Sequence, residues 1–131
     1  MTSSILLSRM VEHPSDSNTL ARYVDTGGYV ALRKALETMT PEDVVAEVKA
    51  SNIRGRGGAN FPAGVKWGFL APAKPAYLVV NADESEPGTY KDRLLMECDP
   101  HQLIEGSLIA SYAAGLSQCF LYVRGEMPLA H

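Results

Sequence analysis

One stretch near the middle of the chain concentrates glycine and positive charge: Arg54-Gly55-Arg56-Gly57-Gly58-Ala59-Asn60-Phe61-Pro62-Ala63-Gly64. Glycines let backbone N–H groups turn toward an anion without a side chain in the way. Arg54, Arg56 and Lys66 set cations at its edges, a combination that suits a phosphate. It is not a P-loop, because Lys66 lies between Val65 and Trp67 instead of completing a Gly-Lys-Ser/Thr run. Nor is it the usual dinucleotide fingerprint, because Asn60 stands where the third glycine would fall. A flexible surface loop is the plain alternative, and glycine content alone divides evenly between the two. The Arg-Gly-Arg-Gly-Gly run also echoes RNA-binding segments, but a single copy in an acidic chain argues against that chemistry.

The second candidate is acidic. Asn81-Ala82-Asp83-Glu84-Ser85-Glu86-Pro87-Gly88-Thr89-Tyr90 begins where an apolar run ends. Over residues 81–99, six acids face only Lys91 and Arg93. Carboxylates and an amide accept hydrogen bonds from ribose hydroxyls or from the N–H edge of a flavin ring. A divalent-cation site is one alternative, although the spacing lacks the EF-hand pattern; a solvated acidic loop is the other. Three aromatics, Phe61, Trp67 and Phe69, lie in or beside the glycine stretch, where a planar ligand could stack on them. Trp67 is better read as an anchor to the core, whereas Phe61, beside Pro62 in the loop, fits a ligand-facing role.

These groups need a frame. Residues 1–19 are rich in Ser, Thr and Asn and are expected to form a loosely packed arm. Tyr29, Leu32, Leu36 and Met39 make a helical stripe. Thr40-Pro41-Glu42-Asp43 is a strong helix start, with a capping Thr, Pro at the first helical position and acids toward the positive end of the helix dipole. Val44, Val45 and Val48 supply the apolar face. Residues 77–80 predict a buried strand, residues 81–99 a polar loop, and Asp99-Pro100 the start of another helix with Leu103, Ile104, Leu108 and Tyr112 on one face. That helix should stop at Gly115, and residues 119–123 predict a second buried strand. Strand, helix, strand at this spacing points to a βαβ unit with parallel strands and a right-handed crossover. In open α/β sheets ligands bind beyond the carboxyl ends of the strands, which is where the acidic loop begins. Two strands leave much apolar surface uncovered, so further strands are expected from sequence outside this stretch.

Bulk properties narrow the function classes. The 131 residues suffice for one domain with a core. A net charge of -3 argues against a general nucleic-acid binder. Cys98 and Cys119 fit no metal-binding spacing, and two buried free thiols are favoured over a disulfide. Ile5-Leu6-Leu7 is too short for the core of a signal peptide, and no apolar run would span a bilayer. The expected location is therefore cytoplasmic.

Taken in order, the motifs resemble one family: the NADH-binding flavin subunit of respiratory complex I, known as the F subunit in bacteria and the 51 kDa subunit in mitochondria. The stretch from Gly55 through Gly58 to Lys66-Trp67 resembles its FMN loop. Val80-Asn81-Ala82-Asp83-Glu84-Ser85-Glu86-Pro87-Gly88-Thr89-Tyr90-Lys91-Asp92-Arg93 resembles its second signature. Gly27-Gly28-Tyr29, Asp99-Pro100-His101, Leu103-Ile104-Glu105-Gly106 and Tyr122-Val123-Arg124-Gly125-Glu126 continue the match. The resemblance implies an α/β chain: an N-terminal helical lead-in over 1–50, then over 51–131 part of a Rossmann-like FMN/NADH-binding domain with parallel strands. It implies FMN and NAD as cofactors. Gly55, Arg56, Gly57, Gly58 and Lys66 would hold FMN, Asn81, Asp83 and Glu84 would face the flavin, Glu86 would lie by the nicotinamide and the reactive edge, and Phe61 and Phe69 would stack the adenine. The implied reaction is hydride transfer from NADH to FMN, feeding an iron–sulfur chain to quinone. The implied partners are a small 2Fe–2S subunit and a large iron–sulfur subunit, on a complex peripheral to the inner membrane. No metal ligands are assigned in this stretch; the family's [4Fe–4S] motif belongs to its C-terminal part, so the chain is expected to be an N-terminal portion, inactive by itself. Flavin subunits of NAD-linked hydrogenases and formate dehydrogenases share these motifs, and a non-catalytic binding fragment is the further alternative. Two departures stand out: Asn60 where the family usually has Gly, and Ala63 where Thr or Ser is common. Asn tolerates positive φ better than most residues.

Overall fold

A computed structural model describes residues 6–71 and 74–131 of the chain. The first five residues of the expected arm, Ile5 among them, and two residues of the Pro/Ala-rich stretch before the first strand fall outside that range. The elements run α1 (Ser8–Glu12), α2 (Leu20–Asp25), α3 (Val30–Thr38), α4 (Pro41–Ser51), α5 (Ala63–Trp67), β1 (Tyr77–Ala82), α6 (Lys91–Cys98), α7 (Pro100–Ala114) and β2 (Gln118–Val123).

Local chemistry explains several boundaries. Thr40 and Asp43 form a reciprocal capping box: the Asp43 N–H donates to Thr40 Oγ1 at 3.2 Å and the Thr40 N–H to Asp43 Oδ2 at 3.0 Å. With Pro41 at the first position this fixes the start of α4, a contribution of about 1 kcal/mol. Asn52 closes the same helix in the left-handed region, at φ 51°. Gly115 ends α7 at φ 59°, a left-handed conformation that glycine adopts without strain.

β1 and β2 are parallel neighbours, from Tyr77 opposite Gln118 to Ala82 opposite Val123, with α7 on the path between them. This is the expected βαβ arrangement, one residue longer at the start of β2 and two longer at the end of β1. The core lies on the helical side. Ala35, Val44 and Ala113 form one buried cluster, with Met39, Val48, Trp67 and Ile109 packed against it. Ala82, Met96 and Met127 form a second. The first cluster joins α3 and α4 to α7.

Several expectations need correction. The strands are not buried: along β1 alternation turns Val79, 62% exposed, away from α7, while β2 is open on both faces, with Phe120 and Leu121 each 47% exposed. The lead-in is not loose. Arg9 forms an ion pair with fully buried Asp99 and lies 4.2 Å from the centre of the Tyr23 ring, while Ser17 Oγ donates to the Cys98 carbonyl at 2.7 Å. Residues 81–99 are not all loop, since α6 occupies their second half. Of the two free cysteines, Cys119 is exposed and Cys98 half-buried, because Cys119 lies on the open edge strand. On α7 the face drawn from Ile104 and Leu108 is largely open, and the buried positions are Glu105, Ala110 and Ala113.

Glu105 is held by three donors. Its carboxylate accepts from the Tyr23 hydroxyl, from the Tyr29 N–H at 2.9 Å and from the Leu32 N–H at 2.9 Å, so it caps α3 from the neighbouring helix. Burial, and then the bond to Glu105, push the Tyr23 hydroxyl above its ordinary range.

Candidate functional site

The glycine stretch forms a pinched loop. The Gly55 N–H donates to the Phe61 carbonyl at 2.9 Å and the Ala63 N–H to the Ile53 carbonyl at 2.9 Å, closing its base, and Arg54 and Pro62 form an antiparallel bridge. Arg54 donates to the Asn60 carbonyl at 3.2 Å, and the Arg56 guanidinium bends back to the Arg54 carbonyl at 2.8 Å. Asn60 adopts φ 50°, the left-handed conformation that its side chain tolerates where the family usually has Gly.

The glycines differ in what demands them. Gly64 is required by packing, because a Cβ there would come within 2.7 Å of the Lys49 backbone nitrogen. Gly58 is required by its backbone, at φ 109°. Gly57 has neither reason: its φ is not positive, and a Cβ would meet nothing within 4 Å. Internal packing therefore does not explain Gly57, whereas close approach of a bound group would.

Across from this loop, β1 delivers the acidic segment. Asn81 Oδ1 accepts from the Asp83 N–H at 2.9 Å, which turns the chain sharply as it leaves the strand. Ser85 Oγ donates to Asp83 Oδ2 at 2.7 Å. Glu84 is buried, and both its oxygens are engaged: Oε1 accepts from the Asp92 N–H at 3.0 Å and Oε2 from the Arg93 N–H at 3.1 Å, with Lys91 Nζ 3.7 Å away. Burial alone would raise its pKa, but the two N–H donors and the Lys91 charge outweigh it and hold the carboxyl below its ordinary value. Glu84 thus anchors the start of α6. Glu86 is exposed, its carbonyl accepts from the Thr89 N–H and hydroxyl, and its carboxylate has no partner among the described residues.

The two motifs meet across a cleft of about 760 Å³. One wall is Arg56, Gly57, Gly58 and Lys66, and the other runs from Asn81, Asp83, Glu84, Ser85 and Glu86 to Thr89, Lys91 and Asp92. Among the described residues Lys66 has no ion-pair partner, and Arg56 meets only oxygens of its own loop. One wall therefore offers positive charge beside glycine backbone, and the other offers carboxylates, an amide and the Lys91 ammonium. Such a site suits an elongated ligand with an anion at one end and a ring bearing N–H groups at the other.

A second cleft, of about 390 Å³, adjoins the first through Gly57 and Lys66 and is lined also by Gly55, Asn60, Phe61 and Trp67. Phe69 lines neither, but its ring centre is 5.9 Å from that of Phe61, and both rings are solvent-exposed. Trp67 packs against the core, as expected of an anchor. Thr89, Lys91 and Asp92 reach the cleft without having drawn attention as single residues. Their signal was present in the second motif, which runs unbroken through Asp92 and Arg93.

A parallel βαβ unit whose first strand carries an acidic loop to face a glycine loop marks the chain as part of an α/β nucleotide-type binding domain. Residues 48–131 match the Complex1_51K family model, described as the Nuo51 FMN-binding domain, and the chain belongs to that family. It is 55% identical over 123 residues to the NADH-quinone oxidoreductase F 2 subunit of Rhizobium meliloti (strain 1021), an alignment covering 92% of this chain and 29% of that protein. It is 56% identical over 114 residues to the NADH-quinone oxidoreductase F subunit of Streptomyces coelicolor (strain ATCC BAA-471 / A3(2) / M145), covering 86% of this chain and 25% of that one. The chain therefore spans under a third of the curated relatives it matches. Among solved structures, an NAD+-reducing [NiFe]-hydrogenase in the H2-reduced state superposes with a TM-score of 0.72 at 34% identity, over 87% of this chain and 20% of that one. A structure of an NAD+-reducing [NiFe]-hydrogenase in the air-oxidized state gives a TM-score of 0.66 at 27% identity, over 95% of this chain and 26% of that one.

Proposed function

We propose that this chain forms the first part of the flavin and nicotinamide site of an NADH-quinone oxidoreductase, in which NADH gives a hydride to FMN. The observation that carries this reading is the cleft itself: Lys66, without an ion-pair partner among the described residues, and an otherwise unexplained Gly57 face Asn81 and Asp83 within the segment that matches the family. Identities of 55% and 56% to the quinone-linked proteins, against 34% to the hydrogenase chain, favour the quinone-linked enzyme over the hydrogenase reading.

In this reading Gly55, Arg56, Gly57, Gly58 and Lys66 hold the FMN phosphate and the adjoining ring edge. Asn81 and Asp83 meet the polar edge of the ring, and Glu84 acts through its hold on α6. Phe61 and Phe69 stack the adenine of NADH. FMN, when bound, supplies the hydride acceptor; the chain's contribution is alignment and electrostatics. Glu86 sits by the reactive edge, where its charge opposes negative charge on reduced flavin. Glu86→Gln should therefore raise the flavin midpoint potential by roughly 10–30 mV while leaving FMN affinity near wild type, and an unchanged potential would remove this role. The partners are the small 2Fe–2S and large iron–sulfur subunits of a complex held at the membrane surface. No helix among the described residues is long and apolar enough to cross a bilayer.

The test uses the full-length protein. It should carry FMN whose visible absorbance bleaches on anaerobic addition of NADH. A protein that purifies with flavin but does not bleach would leave a binding role in place of the oxidoreductase one.

A further inference from the structure

Arg124 stands immediately after β2, outside both motifs that line the cleft. The register pairs Ala82 with Val123, so the next residues, Asp83 and Arg124, leave adjacent parallel strands side by side. The guanidinium makes three connections there. Nη1 donates to the Glu84 carbonyl at 3.1 Å, Nε lies 3.9 Å from Asp83 Oδ1, and Nη2 pairs with Glu126. The other Asp83 oxygen is held by Ser85 Oγ. A planar fork of donors can hold a carbonyl and a carboxylate at once, which a single ammonium cannot do with the same geometry.

We infer that Arg124 is a positioning residue for the cleft: it fixes the backbone at Glu84 and the carboxylate of Asp83 against the end of β2, and so sets the shape and charge of the acidic wall. Asp83, Glu84 and Glu86 crowd negative charge at this strand end; of the segment's own cations, Lys91 is shared between Asp92 at 2.6 Å and Glu84 at 3.7 Å, and Arg93 pairs with Glu97 at 2.9 Å, so neither reaches Asp83. Arg124 is the counter-charge brought by a strand 40 residues away in sequence. Removing it takes away the cation beside Asp83 Oδ1 and leaves the wall more negative, which weakens an anionic cofactor and disfavours its reduced form. The inference rests on the FMN reading above and adds to it a residue that touches the wall and not the ligand.

The test compares full-length wild type, Arg124→Ala and Arg124→Lys, measuring FMN affinity by fluorescence titration of the apoprotein and the flavin midpoint potential by redox titration. Arg124→Ala should bind FMN about tenfold more weakly and shift the potential to more negative values. Arg124→Lys, which keeps the charge and loses the fork, should restore the potential while affinity stays intermediate; a purely structural residue would give no such split. If Arg124→Ala does not fold, Asp83→Asn carries the comparison. Adding Arg124→Lys to Asp83→Asn should cost less FMN affinity than Arg124→Lys costs in the wild type, because only the Glu84 carbonyl contact is then lost, and an equal loss in both backgrounds would overturn the assignment. Wild-type affinity and potential in Arg124→Ala would overturn it too, with the FMN reading intact. A wild-type protein that takes up no FMN would overturn both.

Discussion

The Glu105 cluster and the Gly57–Lys66 cleft are built from the same kinds of polar atoms, used in opposite ways. At Glu105 a buried carboxylate meets a phenol and two backbone N–H groups inside the chain, and no donor there is left to a ligand. At the cleft, Lys66 and Glu86 end without partners among the described residues, and Gly57 leaves space that internal packing does not fill. Saturated polar groups report on folding; groups held open by rigid neighbours report on binding. Glu84 sits at the border, since it lines the cleft while its carboxylate is committed to α6.

Substitutions should separate the two regions. The largest effect is expected at Glu105. Glu105→Ala leaves the Tyr29 and Leu32 N–H groups and the Tyr23 hydroxyl without their acceptor and should cost about 3 kcal/mol of stability in urea unfolding. A loss below about 1 kcal/mol would mean that water replaces the carboxylate and that the cluster is not a structural keystone. Next come two glycines of the same loop. Gly64→Ala forces a methyl into the Lys49 backbone and should destabilise by about 2 kcal/mol. Gly57→Ala should leave stability within about 0.5 kcal/mol of wild type yet weaken FMN about tenfold, ~1.4 kcal/mol. Equal effects of the two on unfolding would erase the distinction between packing and ligand glycines.

Much of this was legible in the sequence because it is local. The Thr40–Asp43 box, the stop at Gly115 and the two strands follow from nearby residues. The glycine and acidic motifs were readable as chemistry, and the family's pattern placed them in one site. What escaped depends on distant partners. α6 carries the charged run Lys91-Asp92-Arg93, which looks like loop, but its first turn is anchored by Glu84 from the preceding segment. The lead-in looked loose because its anchor, the pairing of Arg9 with Asp99, joins residues 90 positions apart. The strands looked buried because their Val, Leu and aromatic content suits a covered sheet, whereas among the described residues one face of β1 is covered and β2 is open on both faces up to Tyr122. The role inferred for Arg124 likewise depends on the register that sets β1 beside β2.

In the proposed reading, the glycine loop and Lys66 form a phosphate site opposite the acidic wall. The most direct measurement is a pair of titrations, FMN and NADH, on the full-length apoprotein with wild-type Lys66 and with Lys66→Ala. The substitution should weaken FMN about tenfold, ~1.4 kcal/mol, and NADH by much less. Equal losses for both ligands, or no loss of FMN affinity, would contradict it.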